Sequence, residues 1–320
     1  MNSVGLVTMT ALLVIPASAA LLLMLLTGYR LGARLNVGAA LLSLLAACTL
    51  FEARPDANAY LRVDDFNIYL IVLNNWVSFT TSLFSASYIA HELETGRLTP
   101  AYLRFYHATY QALIFAMNLA LLANNIGLLW VAIELATLIT VLMVGLYRTR
   151  AALEAAWKYF ILGSLGIALA LFGTTLVYLA AQPAMGQGLP AMAWDQLLAH
   201  AAAFDPALLN LAFVFLLLGY GTKAGLVPLH AWLPDAHAEG PTPISAVLSG
   251  LLLNVALYAV LRFKMLMSAN PKALAPGPLM VMLGLLSLLF VGLMLYRRGD
   301  IKRLFAYSSI EHMGIITFAF

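Results

Sequence analysis

Residues 124–147 read NNIGLLWVAIELATLITVLMVGLY, and residues 211–230 read LAFVFLLLGYGTKAGLVPLH. Both stretches are long and apolar enough to cross a bilayer as helices, yet each contains one isolated charge, Glu134 or Lys223. A charge at the centre of a bilayer costs about 2.5–3.5 kcal/mol on insertion scales, so an acid and a base kept at that depth indicate function. These two residues therefore predict a membrane protein that moves ions or protons.

The composition of the whole chain is typical of an integral membrane protein. The 320 residues are 63% hydrophobic and 10% charged, whereas soluble domains carry about 25% charged residues. The net charge is +3, and the basic residues lie in short loops. This distribution is typical of residues that set the orientation in a membrane rather than of a surface that binds nucleic acid. The single cysteine, Cys48, excludes a disulfide or a Cys-ligated cluster within these residues.

The apolar runs predict an all-α fold, a polytopic transmembrane helix bundle that forms a single transmembrane domain over residues 1–320. The first run lacks a basic start and is longer than the apolar part of a signal peptide, so we interpret it as a membrane helix. The longest predicted loop covers about 182–205. About ten spans are predicted, at 4–27, 36–52, 66–90, 105–123, 125–147, 155–181, 206–229, 243–267, 276–296 and 301–320.

The charges in the loops predict the orientation in the membrane. Basic residues follow the odd-numbered spans, at Arg30, Arg34, Arg97, Arg104, Arg148, Arg150, Arg297 and Arg298. The alternate loops are acidic or neutral, so the positive-inside rule predicts cytoplasmic odd-numbered loops and an external N-terminus. The outer end of span 8 disagrees, because Arg262 and Lys264 lie in its last turns and Lys272 follows it. Burial of Arg262 against protein would remove part of this conflict.

Lys223 lies where the helical pattern is interrupted. Four helix-weakening residues surround it, Gly219, Gly221, Gly225 and Pro228. We predict a broken helix near Lys223, and broken helices at membrane depth line ion or substrate sites. Two alternatives remain open: Lys223 snorkels to the interface, and Glu134 is a structural acid neutralised by a proton or a neighbouring donor.

Five other titratable residues are candidates for a proton relay. His230 and His237 titrate near neutral pH as free imidazoles, although structural, hydrogen-bonded histidines are the alternative. Their spacing is a poor metal signature, so we predict no metal site. Glu311 and His312 are costly inside a span and are assigned to the proton path. Lys158 is either a relay residue or a snorkelling residue.

Two motifs resemble a known family. KAGLVPLHAWLPDAHAEGPTPISAVLSG (223–250) and DIKRLFAYSSIEHMG (300–314) resemble the antiporter-like, proton-translocating membrane subunits. These subunits occur in respiratory complex I, Mrp-type cation/proton antiporters and membrane-bound hydrogenases. The EHMG ending and the stretch LSGLLLNVALYAVLRF are most similar to the component F branch of hydrogenase-4. The resemblance runs from about Trp76 to the end of the chain.

The resemblance implies specific roles for residues of this chain. Glu134 matches the glutamate of the family's fifth helix and Lys223 the lysine of its broken seventh helix, which together form an input pair. The lysine of the eighth helix is replaced by Asn254, which carries no proton charge. We therefore predict that Glu311 and His312 supply the missing titratable group.

The resemblance also implies a longer protein. The family has about fourteen helices, including a second broken one, whereas this chain stops within a span at GIITFAF. We therefore expect these residues to be the N-terminal part of an antiporter-like subunit.

The leading functional hypothesis is a proton-translocating subunit of a complex I-like or hydrogenase-type redox complex in a bacterial or archaeal inner (cytoplasmic) membrane. The alternatives are an Mrp-type cation/proton antiporter subunit and a non-conducting scaffold. The sequence has no nucleotide loop, dinucleotide fingerprint or cluster ligands, so redox chemistry and its cofactors are assigned to partner subunits. The expected partners are those membrane subunits, the lipid bilayer, and protons or sodium ions, with no nucleic acid.

Overall fold

The computed structural model describes residues 3–26, 28–296 and 299–320, which fold into helices joined by short turns. The predicted all-α class is confirmed for these residues. The α-helices are α1 (Ser3–Leu25), α2 (Tyr29–Thr49), α3 (Asn67–Glu94), α4 (Pro100–Leu122), α5 (Ile126–Val144), α6 (Arg150–Met185), α7 (Trp194–His200), α8 (Pro206–Ala224), α9 (Leu233–Glu239), α10 (Thr242–Val247), α11 (Leu253–Ser268), α12 (Gly277–Leu295) and α13 (Ile301–Ala319).

Seven helical segments of the described chain are long and apolar enough to cross a membrane. One of them joins α10 and α11 through a π-helical turn, Leu248–Leu252, into a single run of 27 residues. The others are α1, α2, α5, α6, α8 and α12. The remaining predicted spans coincide with α3, α4 and α13, so the count of ten spans is not confirmed.

One end of the bundle, here called the Asp64 end, gathers the loops before α3, α5, α8 and α12. The backbone N–H of Arg62 donates to the carbonyl of Leu122 (2.8 Å), and Asn270 donates to the carbonyl of Ala201 (2.9 Å). The predicted loop 182–205 is largely helical instead. In this segment α6 continues to Met185, and α7 lies between two short 3₁₀ helices, Leu189–Met192 and Ala201–Ala203.

The opposite end, here called the Gly240 end, is held by side chains that bind backbone or one another. Lys302 Nζ donates to the carbonyls of Ala238 (2.8 Å) and Gly240 (2.6 Å), which satisfies the end of α9. The hydroxyls of Tyr88 and Tyr147 are 3.0 Å apart. Arg297 and Arg298, which contributed to the predicted orientation, lie outside the described residues.

Helices α6 and α8 pack backbone to backbone. A Cβ atom placed on Gly219 would lie 2.5 Å from the backbone N of Ala170 and 2.6 Å from the carbonyl of Gly166. Small residues permit such close approach in membranes, where association depends on packing and hydrogen bonds rather than on the hydrophobic effect. This crossing fixes the last turn of α8, which contains Lys223, against α6.

A row of buried polar side chains follows α3 along the face that meets α4. Asn74 and Asn75 both donate to Asn118 Oδ1 (2.8 and 2.9 Å), and Asn118 Nδ2 donates to the carbonyl of Leu12 (3.0 Å). The other buried polar members of the row on α3 are Asn67, Ser78, Thr81, Ser82 and Ser85. These polar side chains of α3 therefore face protein rather than its surroundings.

Candidate functional site

The helix that carries Lys223 ends one residue after it. Gly225 adopts the left-handed conformation (φ 76°), its N–H reaches the carbonyl of Thr222 (3.2 Å), and the N–H of Leu226 reaches that of Gly221 (2.9 Å). This is a Schellman ending, in which glycine avoids the strain that a Cβ atom would bring. The helix therefore ends earlier than the predicted span at 206–229, and the break within a membrane span remains a prediction.

The chain after this ending, residues 225–232, has irregular backbone that is satisfied inside the bundle. The N–H of Val227 donates to Ser287 Oγ on α12 (3.0 Å). Trp232 Nε1 donates back to the carbonyl of Thr222, at the end of α8 (2.8 Å). Unpaired backbone groups away from water are costly, so these bonds allow a non-helical segment to lie among helices.

Lys223 is completely buried, with 0% of its surface exposed. Its Nζ lies 4.7 Å from the ring centroid of Tyr159, within the range of a cation–π interaction. Tyr159 stacks on Trp232 with ring centroids 4.5 Å apart and shares a hydrogen bond with Thr140 Oγ1 (2.7 Å). Among the described residues, the ammonium has no hydrogen bond or ion pair. A lysine in this position does not snorkel to the surface.

Gly163 makes room for the ammonium. A Cβ atom at this position on α6 would lie 2.6 Å from Lys223 Nζ and 3.6 Å from Thr137 Cγ2 on α5. Three helices therefore enclose Lys223: α8 carries it, α6 supplies the aromatic face and the glycine, and α5 supplies Thr137.

Glu134 lies on α5, one turn before Thr137. Its side chain is half-buried, and Oε2 is buried without a hydrogen-bond partner among the described residues. No ion pair of 4.0 Å or less joins it to Lys223, but the two charges are close enough to attract each other. The structure thus brings the acid and the base of the two quoted runs into one interior region without direct contact.

His230 lies just before α9 and His237 lies within it, and both are buried, with 8% and 4% of their surface exposed. His230 Nδ1 and His237 Nε2 have no hydrogen-bond partner among the described residues. The His230 ring contacts Phe290 of α12 (centroids 4.6 Å apart). Each histidine therefore keeps one ring nitrogen that a water molecule or a proton can reach if the interior is hydrated.

Lys158 is in a different environment. Its side chain is 46% exposed and pairs with Glu154 (2.7 Å) and Asp235 (3.1 Å). Asp235 also pairs with Arg303 (3.1 Å). This surface network ties α6, α9 and α13 together near the Gly240 end, away from the buried ammonium.

The last three predicted relay residues are Asn254 on α11 and Glu311 and His312 on α13. Asn254 is half-buried, donates to the carbonyl of Gly250 (2.7 Å) and borders a cavity of about 10 Å³. Glu311 is half-buried and His312 is exposed, with His312 Nδ1 2.6 Å from the carbonyl of Ser308. Their part in a relay stays a prediction.

Sequence reasoning missed Tyr159, Gly163 and Trp232. A signal was present for the first two, because Tyr159, Gly163 and Gly166 recur at the spacing of one helix face. Within the described part of the chain, no three His, Cys, Asp or Glu side chains converge where they could share a metal ion.

Comparison with known sequences gives relatives that agree with one another. Residues 123–320 match the family described as NADH:quinone oxidoreductase/Mrp antiporter, TM. The chain is 62% identical over 310 residues to the hydrogenase-4 component F homolog of Methylacidiphilum infernorum, covering 97% of this chain and 65% of that protein. It is 32% identical over 204 residues to NADH-quinone oxidoreductase subunit N of Laribacter hongkongensis, covering 63% of this chain and 40% of that one.

Comparison with solved structures gives the same architecture. A chain of the membrane-bound sulfane sulfur reductase, an archaeal respiratory membrane complex, is 22% identical with a TM-score of 0.83, and the match covers 97% of this chain and 64% of that chain. A chain of respiratory complex I from Thermus thermophilus is 26% identical with a TM-score of 0.76, and the match covers 97% and 63%. The chain thus spans less than two-thirds of the length of these relatives.

Proposed function

Because this chain belongs to the NADH:quinone oxidoreductase/Mrp antiporter membrane family, we propose that it moves protons within a complex I-like or hydrogenase-type redox complex. One observation carries the proposal: Lys223 is fully buried, has no hydrogen bond or ion pair among the described residues, and lies within electrostatic reach of Glu134. A buried ammonium without partners is costly, so its charge responds to changes nearby.

The chemistry follows from the separation of the two groups. At an effective dielectric constant of about 20, unit charges 4 Å apart attract by about 4 kcal/mol, and the attraction weakens as they separate. A small movement of Lys223 or Glu134 therefore changes the proton affinity of both. Closing the gap favours the charged pair, and opening it releases a proton from one group or admits one to the other.

The route beyond the pair is proposed to pass through the two histidines. His230 and His237 lie on the way from the Lys223 region toward the Gly240 end, and each has one ring nitrogen without a hydrogen-bond partner among the described residues. Water molecules bridging these nitrogens would complete the path. In this proposal Lys158 acts through Asp235, by holding α9 and hence both histidines in place.

The proposed membrane arrangement adds α3, α4 and α13 to the seven apolar segments and joins α8 to α9 as one discontinuous span. The Asp64 end, where Gly5 packs against residues 53–55, is proposed to face outward, and the Gly240 end to face the cytoplasm across the inner membrane. Arg262 supports this orientation because it is buried and paired with Asp64 (2.7 Å) rather than free in a loop.

The remaining relay residues and the partners are also part of the proposal. Asn254 stands where the family has a lysine. Glu311, half-buried on α13, would take the role of that lysine, with His312 beside it. Other membrane subunits would supply the redox energy, because relatives of this chain are named as a hydrogenase-4 component and as a subunit of NADH-quinone oxidoreductase. Glu311→Gln should then lower proton uptake while the complex still assembles.

The decisive test uses the full-length protein in its intact complex. Lys223→Met and Glu134→Gln should each reduce proton uptake into inverted membrane vesicles, followed with a pH-sensitive dye, by at least about tenfold, because either change removes one charge of the pair. Lys272→Met is the matched control, since Lys272 is exposed at the Asp64 end.

The outcomes separate the three hypotheses. Normal proton uptake in an assembled Lys223→Met complex would leave only the scaffold hypothesis. Uptake that requires sodium, and that stops when choline replaces it, would favour the antiporter alternative over proton translocation driven by redox partners.

A further inference from the structure

A surface groove of about 640 Å³ lies between α4, α5 and α6. Its walls are apolar side chains from α4, α5 and α6, among them Phe105, Leu142, Leu153, Trp157 and Phe160. Helices α5 and α6 are long and apolar enough to span the membrane, and a membrane position of these helices would place the apolar walls in contact with lipid. The volume is in the range of small-molecule sites.

One end of this groove is cationic. Arg148 borders it from the turn between α5 and α6, with its guanidinium carbon 4.7 Å from the ring centroid of Tyr102. Its backbone has a φ of 54°, which is uncommon for a residue other than glycine, and its N–H binds the carbonyl of Gly145 (3.1 Å). No ion pair of 4.0 Å or less involves Arg148 among the described residues. The charge is fixed at the groove and is not neutralised by the described protein.

We propose that the groove binds an anionic phospholipid, with an acyl chain along the apolar walls and the phosphate at Arg148. A guanidinium binds phosphate through paired, charge-assisted hydrogen bonds. Basic pockets between membrane helices are established binding places for anionic headgroups. Trp157, 62% exposed on the rim, is the residue type that sits at headgroup level.

The order of groups in the groove favours a lipid over a helix of a partner protein. The groove has one cationic end and an apolar remainder, which is the polarity of a phospholipid. A partner helix would have to bring an acidic side chain to Arg148 and fill the rest with apolar ones. The inference depends on the membrane position of α5 and α6, and it is independent of proton transfer at Lys223.

The test measures lipid binding to the delipidated, full-length protein in its complex. Native mass spectrometry compares phosphatidylglycerol with phosphatidylcholine of the same acyl chains. Arg148→Asn removes the charge and tolerates the left-handed backbone, and it should weaken phosphatidylglycerol binding about tenfold. Arg150→Gln is the control because Arg150 is exposed two residues away and does not line the groove.

A second measurement locates the acyl chain without relying on a variant. Phosphatidylglycerol with a photoreactive group in its chain should label peptides of residues 141–160. Equal binding of the two lipids, equal losses for Arg148→Asn and Arg150→Gln, or crosslinks from this groove to another protein in place of lipid would each overturn the proposal.

Discussion

Two buried cations in this bundle have opposite surroundings. Arg262 is 4% exposed; it pairs with Asp64 (2.7 Å), donates from Nε to the Tyr258 hydroxyl (2.8 Å) and lies 4.3 Å from the ring centroid of Trp194. Lys223 is 0% exposed, and its ammonium has only the face of Tyr159 within cation–π range among the described residues.

This is the difference expected between a structural charge and the proposed proton-exchanging one. A buried ion pair with its partners in place remains charged, and removing one partner is strongly destabilising. A buried ammonium that lacks such partners gains little from staying charged, so it can exchange a proton at low cost. Arginine suits the first role because it stays protonated, and lysine suits the second because it does not.

The largest expected effect on stability is at Arg262. Arg262→Met should destabilise the protein by about 3–5 kcal/mol, because it leaves the largely buried Asp64 carboxylate without this partner. Lys223→Met should leave stability unchanged or raise it, because it removes an unpaired buried charge. Thermal unfolding in detergent, followed by tryptophan fluorescence, measures both.

The double variant Arg262→Met with Asp64→Asn provides the control for this comparison. Removing the carboxylate, which then has Arg62 (3.3 Å) as its ion-pair partner but has lost Arg262, should restore part of the lost stability. If Lys223→Met destabilised the protein as much as Arg262→Met, Lys223 would be a structural charge too.

The next effect contrasts two glycines on the α6–α8 interface. Gly219→Ala should cost about 1–3 kcal/mol of stability, since its Cβ would lie 2.5–2.6 Å from backbone atoms of α6. Gly163→Ala should leave thermal unfolding nearly unchanged and lower proton uptake, because its closest contact, at 2.6 Å, would be the movable end of Lys223. A stability loss at Gly163 equal to that at Gly219 would show that the ammonium is rigidly held.

The Arg262–Asp64 pair also predicts a dependence on pH. Burial of Asp64 opposes its ionisation, but the hydrogen bond and charge of Arg262 outweigh this and hold the pKa of Asp64 below its ordinary 3.8. The pair therefore stabilises the fold at neutral pH, and this contribution is lost as the pH falls through the lowered pKa. The difference in Tm between the wild type and Asp64→Asn should shrink below about pH 4. A constant difference would contradict the assignment.

The smallest effect is expected at Tyr159. Tyr159→Phe keeps the ring face toward Lys223 and loses the hydrogen bond to Thr140, so proton uptake should fall by less than about threefold. Tyr159→Leu removes a cation–π contact worth about 0.5–2 kcal/mol and should reduce uptake several-fold. Equal defects in both variants would mean that the hydroxyl, rather than the ring, matters.

Part of this organisation could be predicted from the sequence because it leaves local signals. Glu134 and Lys223 stand out as single charges in apolar runs, and Gly225 beside Pro228 indicates where the helix ends. The predicted resemblance to antiporter-like subunits, and to the component F branch of hydrogenase-4 among them, is confirmed by the matched family and relatives.

The rest could not be predicted because it depends on contacts between distant residues. Burial of Arg262 was one way to explain its place at the outer end of span 8, yet nothing near it in the chain identifies Asp64 as its partner. Tyr159 looks like any aromatic residue of a membrane helix until α8 places an ammonium over its ring. The polar row on α3, at Asn74, Ser78 and neighbouring positions, had a helical period that hydropathy alone does not reveal.

Ser287 connects α12, at the exterior of the bundle, to the chain that follows Lys223. Helix α12 is the least covered of the seven apolar segments, with 28% of its window buried. Its Ser287 nevertheless holds the N–H of Val227, at a distance of 3.0 Å, in the irregular chain just past Lys223. A sideways shift of α12 by about 1 Å would lengthen the distance between the donor and the acceptor beyond the range of a hydrogen bond. A neighbouring subunit that displaced α12 would therefore release the N–H of Val227, close to the ammonium, without touching that part of the chain.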